Sequence, residues 1–107
     1  MILYTLLKMD GTEEELLQTE KEVELSQLYK WLNCTTVKLI PSDYYPDGMQ
    51  GTVFGNEEGR FNDDNHRNPH MKVLHDPMGQ AWDTVGDLLL EQTEKQHDKW
   101  QKARGDA

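Results

Sequence analysis

Cysteine is all but missing from this chain. Cys34 stands alone among 107 residues. That excludes an intrachain disulfide and a cysteine-based zinc knuckle, and it suits a reducing cytoplasm. A lone cysteine after a helix reads as a small apolar filler rather than a nucleophile. Long apolar runs are also lacking, and no stretch approaches the ~20 residues needed to span a bilayer. The opening MILYTLLKMD is apolar but has neither a basic leader nor a small-residue cleavage site, so it reads as a strand and not as a signal peptide. Positive charge is scarce: 11 Lys and Arg face 20 Asp and Glu, a formal net charge of −9. Phosphate backbones and anionic lipids repel such a surface, which disfavours nucleic acid and membranes as partners. A charged partner should be a protein with a basic surface.

What is present suffices for one modest core. The sharpest local signal is Gln50 to Phe61, QGTVFGNEEGRF. Thr52, Val53 and Phe54 suit a strand, Gly55 to Gly59 is turn chemistry, and Arg60-Phe61 resumes an extended pattern. A β-hairpin closed by a glycine bulge at Gly59 is expected. Met1 to Met9 reads as the first strand and Asp10-Gly11 as a turn. Leu16-Leu17 reads as a second short strand or a lead-in to the helix. Thr19 and Glu22 have capping-box spacing, so a helix should follow them. Leu25, Leu28, Tyr29 and Leu32 then form one apolar stripe, with Trp31 at its edge and Asn33 as terminator.

Thr35 to Ile40 is β-branched and ends at Pro41. Asn68-Pro69 resembles a helix start, so a short helix from Pro69 to His75 is expected, with Met71 and Leu74 inward. Trp82 to Glu91 reads as a strand, because Gly86 would cost a helix about 1 kcal/mol relative to Ala. Thr93 to Arg104 reads as a polar helix, with Glu91/Lys95 and Asp98/Lys102 as i,i+4 pairs. The expected class is α+β. It has a small mixed or antiparallel sheet, one main helix packed on it, a short second helix and a C-terminal helix. Residues 1–91 form the domain, and residues 92–107 form a polar helical tail.

Several of these pieces occur together in a recognisable order. They are Gln27 to Leu32 running into Val37 to Pro41, the Asn56-Glu57-Glu58-Gly59-Arg60 turn, Asn68-Pro69, and Asp83 to Leu90. The ordered set resembles a small domain-of-unknown-function family spread through bacteriophages, viruses of algae and some bacteria, over roughly residues 1–91. Members carry a glycine pair after the helix, where this chain has Asn33-Cys34. The resemblance implies a viral or phage-like origin and an accessory role in a host cytoplasm. It supplies no catalytic residues.

The candidate sites follow from charge and aromatics. From Asp10 to Glu24 the acids Asp10, Glu13, Glu14, Glu15, Glu20, Glu22 and Glu24 face one base, Lys21. Such a band is a solubilising face, or a decoy for the basic groove of a host protein. Trp100, the one large apolar side chain of a polar helix, either anchors a partner or a second copy of the chain, or docks on its own sheet. The leading expectation is a non-enzymatic acidic accessory protein that binds a basic host macromolecule through Glu13, Glu14, Glu15, Glu20, Glu22, Glu24 and Trp100. The alternative is a small-ligand sponge or sensor for a nucleotide-like molecule, using Tyr44, Tyr45, Asn56, Arg60 and Trp82. A third reading is a metal-dependent hydrolase on the loop bearing Asp63, Asp64, His66, His70 and His75. Pro69 breaks the helix face that His66 and His70 would share, so neither a metal nor another cofactor is expected. Glu57-Glu58 and Asp63-Asp64 read as solvated turns, since nothing in the sequence buries one carboxyl beside the other.

Overall fold

Two stretches, Ile2–Leu7 and Leu88–Thr93, carry apolar residues on both strand faces, and both become interior strands. A strand with one wet face alternates, whereas a strand covered on both faces need not. The computed structural model describes residues 1–105. In chain order its elements are β1 (Ile2–Leu7), β2 (Glu13–Thr19), α1 (Leu25–Leu32), β3 (Val37–Ile40), β4 (Thr52–Asn56), β5 (Leu74–His75), β6 (Ala81–Trp82), β7 (Leu88–Thr93) and α2 (Glu94–Ala103). Five strands form one antiparallel sheet in the order β2-β1-β7-β4-β3, and β5 pairs with β6 apart from it. The class is α+β.

Each face of the sheet has its own core. Tyr4, Leu6 and Leu89 meet Leu28 and Leu32 of α1 on one side. Leu7, Leu88 and Leu90 meet Val53, Ile40, Tyr45, Met49, Met71 and Trp100 of α2 on the other. The helix ends are locally encoded. Asn33 takes a left-handed φ of 50°, its N–H returns to Lys30 O at 3.2 Å, and the Cys34 N–H returns to Tyr29 O at 3.0 Å. That is a Schellman closure on a residue that tolerates it. The start of α2 is a true capping box, with Thr93 Oγ1 accepting from Gln96 N and Gln96 Oε1 accepting from Thr93 N.

Several expectations are corrected, among them a continuous strand from Trp82 to Glu91, which divides into β6 and β7. The hairpin from Gln50 to Phe61 does not form. β4 pairs with β3 on one edge and β7 on the other, so no edge is left for a returning strand. Gly59–Phe61 is instead a 3-10 turn, and Asn65 Nδ2 donates to the Gly59 carbonyl at 2.9 Å. The capping box at Thr19 and Glu22 is not used, because Thr19 ends β2 and α1 starts at Leu25 behind Glu24, without a side-chain cap. Leu25, placed on the buried stripe, is 51% exposed. The short helix from Pro69 to His75 is absent. Lys72 N donates to Tyr44 O at 2.7 Å, a bond that pulls the backbone out of helical register, while Met71 still reaches the core.

The boundary drawn between residues 91 and 92 falls inside β7. α2 packs its Trp100 into the core, so it is part of the domain rather than a tail. Residues 106 and 107 of that expected tail lie outside the described residues.

Candidate functional site

Three of the five aromatic and polar residues named for a small ligand converge. Tyr44, Arg60 and Trp82 line one cavity of about 230 Å³ with Lys38, Asp83 and Thr84. Pro41 stops β3 and starts the 3-10 turn Ser42–Tyr44, which sets Tyr44 half-buried against the core. The turn after β4 brings Arg60 round, where its Nη2 meets the Asp83 carbonyl and lies 3.0 Å from Asp83 Oδ1. β6 presents Trp82, whose indole N–H points at Asp76 Oδ2 at 3.5 Å. The other two residues go elsewhere. Tyr45 is buried, its hydroxyl accepts from Val53 N at 2.9 Å, and burial pushes its pKa up. Asn56 lies with Asn33, Asn62 and Asn65 around a separate polar cavity of about 150 Å³.

The acidic band occupies the β2 edge of the sheet and the segment running to α1. Part of it is already neutralised. Glu13 is paired with Arg104, and Glu14 lies 3.4 Å from Lys8 Nζ. Asp10 is tied into its turn, where the Thr12 hydroxyl and then the Thr12 amide hold its carboxyl below the usual range. Among the described residues, no cation pairs with Glu15, Glu20, Glu22 or Glu24. Glu15 also faces α2, and with Glu94 and Asp98 it lines a depression of about 260 Å³ that includes His97. Sequence reasoning missed these two helix acids. It assigned Asp98 to an i,i+4 pair with Lys102, which is not closed, as the Glu91/Lys95 pair is not. Their own i,i+4 spacing on the first turns of α2 was the available signal.

Trp100, named as a partner anchor, is 3% exposed and sits inside its own core. It has no outward face to offer a host protein or a second copy. A tryptophan docks from an otherwise polar helix because β7 and the loop from Pro41 to Gly51 leave an apolar slot under it.

The loop histidines do not gather. His70 Nε2 lies 3.1 Å from Thr12 O, His66 is exposed and uses its carbonyl to accept from Gly86 N, and His75 is exposed in β5. Among the described residues, no three His, Cys, Asp or Glu side chains come together to hold a metal ion. Burial pushes the Cys34 thiol pKa up, away from thiolate chemistry. No described helix is long and apolar enough to cross a membrane. Comparison with family models, curated proteins and solved structures returns no match.

Proposed function

We propose that this chain is a non-enzymatic binding protein that engages a basic macromolecular partner through the β2–α2 side of its acidic edge. The observation that carries this reading is the depression lined by Glu15, Glu94 and Asp98. Three exposed carboxylates from two elements border an open depression of about 260 Å³, where one Lys or Arg side chain would pair with them in a largely solvated setting. Glu20, Glu22 and Glu24, on the segment running to α1, add negative charge that would steer a basic partner at long range. Glu13 and Glu14 contribute less than the bare sequence suggests, because Arg104 and Lys8 already occupy them, and Glu94 is partly offset by the Met1 ammonium 3.8 Å away. The accessory, viral or phage-type role in a host cytoplasm rests on the resemblance set out above and on the single free cysteine.

The test is affinity capture from host lysate at low and moderate salt, comparing the parent with a Glu15→Gln, Glu94→Gln, Asp98→Asn variant. The expected result is a basic protein retained by the parent, released by salt and missed by the variant. Retention of the same proteins by parent and variant, or capture of nothing basic, overturns the reading.

A further inference from the structure

We propose that the cavity between β3 and β6 binds a small planar aromatic anion, a single ring bearing one carboxylate. The site is separate from the acidic edge, so neither reading depends on the other. The chain has three tryptophans, and two are committed inside the fold. Trp31 tilts against Tyr4 with centroids 5.3 Å apart, and Trp100 is buried. Trp82 belongs to neither core and is 47% exposed at the cavity. Tyr44 supplies a wall braced by the core, and the exposed Leu39 adds apolar surface. A flat ring is the shape that such walls accept, because an indole face attracts another π system or its edge.

Charge then selects the substituent. In a chain of net charge −9, Lys38 and Arg60 line this cavity with one carboxylate, Asp83, while the Asp76 carboxylate, held at 3.5 Å by the Trp82 indole N–H, is outside the lining. Asp83 holds Arg60, while Lys38 has no ion pair among the described residues. Lys38 is therefore the cation left for a ligand carboxylate.

A third observation is independent of both. Thr84 lines the same cavity and is 7% exposed, yet its hydroxyl has no hydrogen-bond partner in the fold. Buried hydroxyls are ordinarily satisfied; this one is closed to solvent, so a small side-chain rotation would have to turn it toward a ligand oxygen. Size favours a single ring over the larger nucleotide-like molecules. The volume of about 230 Å³ falls below the roughly 300–1,000 Å³ of sites for drug-sized ligands.

Benzoate is the probe, titrated into ¹⁵N-labelled protein, with benzamide as its uncharged control. The expected result is saturable shifts of the Trp82 indole N–H and of the amides of Lys38, Leu39 and Thr84. Benzamide should bind at least about tenfold more weakly. Lys38→Gln should remove that preference and Lys38→Arg should keep it. Trp82→Ala should weaken both probes. Lys38 and Trp82 are exposed, so an otherwise unchanged spectrum verifies that each variant is folded. Equal binding of benzoate and benzamide, shifts centred elsewhere, or no shift up to about 20 mM overturns the proposal.

Discussion

The Tyr4 hydroxyl donates to Glu91 Oε2 at 2.7 Å while accepting from the Val23 amide at 3.0 Å. One side chain thereby joins β1, β7 and the entry to α1. Burial is the main reason that the phenol pKa is pushed up to about 12, with the neighbouring Glu91 carboxylate adding to it. The protonated phenol is favoured in the folded chain, so its contribution to stability is complete below the ordinary tyrosine pKa near 10. It is lost as pH rises from there through about 12. Denaturant melts between pH 9 and 12 should show the parent losing stability above pH 10 more steeply than Tyr4→Phe. Parallel curves would remove Tyr4 from the account.

Asn68 is fully buried and spans three backbone groups. Its Nδ2 donates to Leu7 O at 2.8 Å and to Gly86 O at 2.9 Å, and its Oδ1 accepts from His70 N at 2.9 Å. It joins the end of β1, the turn before β7 and the loop between them. Asn68→Ala strands all three, each worth ~1–3 kcal/mol when left unpaired. A loss of at least about 3 kcal/mol is expected from urea unfolding. Asn68→Asp should be no better, since it keeps the acceptor and loses the donors.

On α1, Leu28 is buried against Tyr4 and Leu89, whereas Leu25 is half out. Leu28→Ala should cost about 2–5 kcal/mol. Leu25→Ala should fall within ~0.5 kcal/mol of the parent. Equal losses in chemical denaturation would mean that the helix is rotated from the described face.

Trp100 is a stability residue. Arg104 lies 4.1 Å above its ring and also pairs with Glu13, closing the end of α2 onto β2. Trp100→Ala should lower the unfolding free energy by ~3–5 kcal/mol. Arg104→Ala should lower it by about 1 kcal/mol, because the pair is partly solvated. A folded, fully stable Trp100→Ala protein would contradict the docking of α2.

Elements decided by near neighbours were legible. The left-handed stop at Asn33, the turn at Asp10-Gly11, the apolar run of β1 and the span of α2 all follow from residues within a few positions. The candidate sites were legible in part. Tyr44, Arg60 and Trp82 were named for their side-chain chemistry, but Tyr45 carries similar chemistry and went to the core. The cavity also depends on Lys38, Asp83 and Thr84, none of which stands out in a linear reading.

By itself, the sequence determined the α+β class, the excess of negative charge, the lack of an intrachain disulfide among these residues and most of the element list. These depend on composition and on local backbone preference, which act whatever the rest of the chain does. Only the tertiary structure decided the partners. β4 became interior because β3 and β7 took both of its edges, which removed the hairpin that Gly55 to Gly59 would otherwise make. Gly86, with its φ of 78°, and Asn68, bound to the Gly86 carbonyl, set where β7 begins. Trp100 went inward because a slot existed for it, and Glu15 met Glu94 and Asp98 because α2 lies beside β2. Ladder hydrogen bonds and buried surface are shared between segments far apart in the chain, so their outcome is a property of the assembled fold.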